Sequence, residues 1–96
     1  MQIRFKPEAE SELAEARLWY SLQRDGLDVA LMACIDQTLS AVAARPLSYP
    51  FVYRSLRRAV VRRFPFAIFY ESTESEIIVF AVYHSRRDVR RLLSRF

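Results

Sequence analysis

The chain holds one glycine, one cysteine and one histidine among 96 residues. A single cysteine, Cys34, set in an apolar helical pattern, excludes an intrachain disulfide and most metal sites, and it fits a reduced, intracellular setting. A single histidine, His84, has no second histidine or nearby cysteine to complete a metal centre, and no serine–acid arrangement is recognisable around it. No metal or cofactor is expected. Long apolar runs are also missing: none approaches the roughly 20 residues of a membrane helix, and no charged stretch followed by an apolar one opens the sequence as a leader would. The expectation is a cytoplasmic protein with no membrane partner.

What is present is apolar and basic. The chain is 52% hydrophobic and 14% aromatic, which sets it far from the composition of disordered segments. Its length suits one domain with a single modest core, covering residues 1–96. The net charge of +4 conceals an asymmetry. Residues 1–44 carry four basic and seven acidic side chains (−3), and residues 45–96 carry eleven basic and four acidic (+7). A field of that sign attracts nucleic acid, anionic lipid or an acidic protein, and charge alone does not choose among them. Fourteen of the fifteen basic residues are arginine, which favours bidentate contact with carboxylate or phosphate, although GC-rich codon usage produces the same bias.

The periodicities predict an α+β fold. Gln2 to Phe5 alternates as a short strand. Pro7 then opens a helix with Glu8, Glu10 and Glu12 in its early turns, where the macrodipole favours acids, and Gly26 is placed to end it as a left-handed cap. Ala9, Leu13, Ala16 and Tyr20 form its core stripe, with Trp19 on the shoulder. A second helix carries Leu31, Ile35, Leu39 and Val42 at helical spacing up to Pro46, and the short link at Asp25-Gly26 folds the two into an antiparallel hairpin. After Pro50 the residues turn β-branched and aromatic, and short breaks at Phe64-Pro65 and 73–75 predict an antiparallel meander.

Its last two strands are apolar on both alternations, Phe66, Ile68 and Tyr70 against Ala67 and Phe69, then Ile77, Val79, Ala81 and Tyr83 against Ile78, Phe80 and Val82. Such strands need cover on both faces, and a helical hairpin covers one. Either a curled sheet closes on its own aromatics, or a bound partner completes the core and the isolated chain is poorly soluble.

Arginine pairs occur at 57–58, 62–63, 86–87 and 90–91. Read as one strand, 57–63 puts Arg58 and Arg62 on one face and Arg57 and Arg63 on the other. In a helical tail, Arg86 would stack over Arg90 and Arg87 over Arg91. Two readings stand side by side: a solvated face with salt bridges to Glu71, Glu74 and Glu76, or an acceptor site for acidic side chains or phosphates. His84 suits a structural hydrogen bond or a binding contact better than catalysis, and Tyr70 and Tyr83 suit the core or its rim.

Together, "FKPEAESELAEARLWY", "GLDVALMACIDQTL", "RPLSYP", "RRAVVRRFPFAIFYE" and "VYHSRRD", in this order along nearly the whole chain, resemble the ParE branch of the RelE/ParE superfamily of type II toxin–antitoxin toxins. The resemblance implies a short strand and an antiparallel helical hairpin packed on a curved antiparallel sheet, with a short basic C-terminal helix or tail. It implies a cognate antitoxin whose segment wraps the toxin, covering apolar strands and pairing acids with arginines. It further implies inhibition of DNA gyrase without catalysis, through Arg58, Arg62, Arg63, His84, Arg86, Arg87, Arg90 and Arg91, and no direct nucleic-acid binding outside the complex with target or antitoxin. RelE-like members instead cleave messenger RNA in the ribosome, for which this chain could offer Arg63, Tyr70, His84 and Arg87. Its one lysine, Lys6, lies near the N-terminus, so the lysine-rich centre of many such nucleases is absent. A third alternative is an inactive module kept for antitoxin binding.

Overall fold

A computed structural model describes all residues, 1–96, and its elements follow the predicted order. Strand β1 (Gln2–Phe5) leads into α1 (Pro7–Gln23) and α2 (Leu27–Ala44), then β2 (Phe51–Tyr53), β3 (Leu56–Val60), β4 (Phe66–Ser72) and β5 (Glu76–His84), and a last short helix, α3 (Val89–Leu93). Pro7 stands in the first turn of α1, where its missing N–H costs nothing. The helix ends before Gly26: Arg24 is its C-cap, its amide donating to the Tyr20 carbonyl. Gly26, at φ +84°, instead starts α2, so the glycine serves the hairpin link from the far side of the link.

The hairpin lays its apolar stripe on one face of a five-stranded sheet ordered β1-β5-β4-β3-β2. Ala9, Ala16, Leu31, Ile35, Leu39 and Val42 meet Ile68, Tyr70, Ile77, Val79 and Val82, all buried. Each fully buried Leu or Ile side chain contributes about 1.5–3 kcal/mol relative to exposure. Thr38, the one buried polar side chain, returns its hydroxyl proton to the Cys34 carbonyl one turn back (2.9 Å). By length and composition α2 could cross a membrane, an exception to the sequence expectation, but its apolar stripe is spent on the sheet.

Strands β2 to β5 form the predicted antiparallel meander. The N-terminal strand adds a parallel edge, pairing Gln2 with Glu76 through Phe5 with Val79, so the sheet is mixed. A bulge also interrupts β5: Phe69 pairs with Ala81 and Tyr70 with Val79, leaving Phe80 unopposed. Beyond that residue the alternation changes phase. Ile77, Val79 and Val82 face the hairpin, and Phe80, Ala81 and Tyr83 face away from it.

The outward face closes on the chain's own C-terminal segment. Leu56, Phe69, Ala81, Tyr83 and Leu92 form a second buried cluster, with Leu93 and Phe96 packed against it and the Phe96 ring 5.2 Å from that of Phe80. Neither predicted solution, sheet aromatics alone or a partner, accounts for this cover. Leu92, Leu93 and Phe96 sit among arginines in sequence, and the charge hid their spacing. Less apolar surface is therefore open than the two-faced strands suggested, and the expectation of poor solubility loses its main reason.

Candidate binding surface

The arginines divide into those the fold uses and those it leaves accessible. Arg57, on the hairpin side of β3, donates from Nη1 to the Tyr49 (2.6 Å) and Leu47 (3.2 Å) carbonyls and lies 3.7 Å over the Phe51 ring. It fastens the turn that joins helices to sheet. Arg58, its neighbour, points to the opposite face and is exposed. The expected facing of Arg62 and Arg63 does not hold, because β3 ends at Val60. Buried Val61 and Phe64 turn inward, and Arg62 and Arg63 stand exposed on the loop between, Arg63 in the left-handed region at φ 73°.

The tail arginines likewise differ from the helical stacking read in the sequence. Arg86 and Arg87 lie in the turn before α3, so they do not stack on Arg90 and Arg91. Arg86 donates its amide to Nδ1 of His84 (3.0 Å). Arg87 lies 4.5 Å over the Tyr83 ring. Arg90 is spent on its own helix cap: Asp88 accepts the Arg90 amide (2.9 Å) and its guanidinium (2.9 and 3.1 Å). Those hydrogen bonds hold the Asp88 carboxyl below the usual carboxylate range. Arg91 is exposed and has no acid partner.

Of the acids expected to pair with the arginine runs, Glu76 binds Arg4 of β1 (3.0 Å), Glu71 accepts from the Ser55 hydroxyl (2.6 Å), and Glu74 is unpaired. The solvated salt-bridge face is thus not built. Arg58, Arg62, Arg63 and Arg86 stay exposed with no carboxylate partner.

Two grooves lie side by side here. One, of about 260 Å³, opens on the α3 side of the sheet, with Phe64, Phe69 and Tyr83 in its apolar lining and Arg58, His84 and Arg87 as its polar residues of note. The other, of about 630 Å³, runs along α1 past Leu18, Trp19 and Leu22, which are exposed. Phe66, His84 and Arg87 line both and form the wall between them. The His84 ring stands edge-on to Phe66 at 5.1 Å, and with Nδ1 accepting from Arg86 its N–H is at Nε2.

Tyr70 is absent from both grooves. It is fully buried on the hairpin side, its hydroxyl donating to the Pro46 carbonyl (2.7 Å), and burial pushes the phenol up to about 12. The structure therefore gathers Arg58, His84 and Arg87, sets Arg62, Arg63 and Arg86 on loops and turns at or beyond that site, and separates Tyr70, Arg90 and Arg91 from it.

Sequence reasoning missed Glu12. From α1 its Oε1 accepts the Val82 amide (3.0 Å) and its Oε2 accepts from Arg95 (2.7 Å), with Arg87 Nη1 at 4.0 Å. In sequence it is one of four glutamates in the first half of a helix, and only its place next to Leu13 of the core stripe hinted at an inward flank.

The family model for the ParE toxin of type II toxin–antitoxin system, parDE, matches residues 3–89. A solved structure described as the chromosomal ParDE TA system from P. aeruginosa shares the fold, with a TM-score of 0.67 at 19% sequence identity, covering 88% of this chain and 95% of that one. Among curated proteins none matches the sequence. The chain belongs to the ParE toxin family.

Proposed function

We propose that this ParE-family chain acts by binding and not by catalysis: it is a cytoplasmic toxin that inhibits DNA gyrase and is neutralised by a cognate antitoxin. The observation that carries the reading is the exposed, acid-free guanidinium of Arg58 in the lining of an apolar groove, with Arg62, Arg63 and Arg86 likewise exposed and without acid partners in the segments that follow β3 and β5. Such a surface suits a partner offering apolar side chains flanked by carboxylates, where planar guanidiniums bind in bidentate fashion. Arg87 and His84 contribute from the groove wall, and Arg91, which has no acid partner, extends the positive field along the tail, whereas Arg90 is neutralised by Asp88.

Cleavage of RNA needs a group to take the 2′-hydroxyl proton, a cation for the developing charge and an acid for the leaving oxygen. The groove offers cations, but the Tyr70 hydroxyl is committed inside the core and Nδ1 of His84 to the Arg86 amide. An antitoxin segment carrying acids and apolar residues meets the same surface, so target and antitoxin compete for it.

The test is a parallel assay of the purified chain, separated from its antitoxin, on gyrase supercoiling with a DNA-cleavage readout and on translating ribosomes with messenger mapping. Lost supercoiling with accumulated cleaved DNA, reversed by the antitoxin, is the expected result. Cuts at codon positions with gyrase unaffected would overturn the reading and give Arg63, His84 and Arg87 a catalytic role.

A further inference from the structure

Glu12 sits where three parts of the molecule meet, with its side chain only 13% exposed. Pairing between β1 and β5 stops at Phe5 and Val79, so further along that edge the Val82 amide has no strand to bond. Glu12 Oε1 takes the strand's place, at 3.0 Å. Its other oxygen binds Arg95, at 2.7 Å, just beyond α3.

What Arg95 holds down cannot hold itself. A five-residue helix is far below the length at which an isolated helix persists in water. Residues 85–96 stay in place through fully buried Leu92, the Tyr83 hydroxyl donating to the Asp88 carbonyl (3.2 Å), the Phe96 contact with Phe80, and the Arg95–Glu12 pair. Apart from the Asp88–Arg90 pair within the segment, every other guanidinium–carboxylate contact it makes goes to Glu12.

We infer that residues 85–96 form a strap that opens and closes as a unit over the second apolar face, with Glu12 of α1 as its clasp. Opening uncovers Leu56, Phe69, Ala81 and Tyr83 and releases Arg87 from its seat over the Tyr83 ring. The clasp thereby sets how often that face is uncovered. The inference stands whichever target the toxin has.

Residue-resolved amide hydrogen exchange on the full-length chain tests it, comparing wild type with Glu12→Gln, Glu12→Ala and Arg95→Gln. Glutamine keeps an acceptor for Val82 but loses the charge that holds Arg95. Glu12→Gln and Arg95→Gln are expected to speed exchange of the α3 amides by about tenfold while leaving those of Val82 and α2 unchanged; Glu12→Ala frees Val82 as well. Unchanged α3 exchange in both glutamine variants would overturn the clasp. So would equal acceleration in α3, α2 and β4, which would make Glu12 a contributor to global stability alone.

Discussion

Replacing Tyr70 by phenylalanine separates structure from catalysis in one substitution. The ring stays, fully buried, in its edge contact with Tyr49 (6.2 Å), so volume and most dispersion contacts persist. What goes is the 2.7 Å hydrogen bond to the Pro46 carbonyl. A buried acceptor left without its donor costs about 1–3 kcal/mol, and relaxation of the 46–50 turn toward water holds the expected loss near the lower end, about 1 kcal/mol. A pH signature follows. The folded-state phenol lies at about 12, above its ordinary value of about 10, so the folded chain binds that proton more tightly than the unfolded one. The stability from this group is therefore fully present below about pH 10 and is lost as pH rises toward about 12. Urea titrations of wild type and Tyr70→Phe should differ by about 1 kcal/mol at neutral pH, and the gap should narrow above about pH 10. Growth arrest on expression without antitoxin should persist in the variant. A variant that keeps its stability within that margin but loses growth arrest altogether would refute the assignment of Tyr70 to the core and make its hydroxyl functional.

His84→Ala removes the acceptor for the Arg86 amide and the edge contact with Phe66, so it should lower stability by about 1 kcal/mol and weaken growth arrest only in part; complete loss in a folded variant, checked by circular dichroism, would point to proton transfer. Gly26→Ala meets no atom within 4 Å, so its whole cost is the left-handed backbone at φ +84°, about 1–2 kcal/mol. Calorimetry should record a midpoint lowered by about 5 °C or more, and an unchanged midpoint would mean the link relaxes freely.

The helical hairpin was legible because its signal is periodic: Leu31, Ile35, Leu39 and Val42 are buried as their spacing requires. The Phe64-Pro65 break likewise marked a true strand end, although β3 stops earlier, at Val60, where Val61 leaves the ladder to pack inward. Three features carried no such mark. The parallel pairing of β1 joins residues 74 positions apart (76 − 2), beyond any local pattern. The bulge at Phe80 lies within the run 77–83, apolar or aromatic at every position, so a slip of phase changes nothing visible in the sequence. Glu12 looks like an ordinary helix-surface acid until the sheet edge it serves is in place. At the site, residue type gave the arginines, but the split between Arg57, bound to backbone carbonyls, and Arg58, left open, needed the strand's facing and the turn at Leu47–Tyr49.

The parallel seat of β1 also bears on when this molecule comes into being. Synthesis runs at about 5–20 residues per second, so β1 leaves the peptidyl-transfer site roughly 4–15 s before the residues it will pair with. Through that interval the hairpin has no β5 to pack against, and Glu12 has no Val82 to bond. The nascent chain cannot assemble the arginine-lined groove, whose wall includes His84 and Arg87, until nearly the whole sequence has been made. A chain built this way offers no finished binding groove until its last strand is in place.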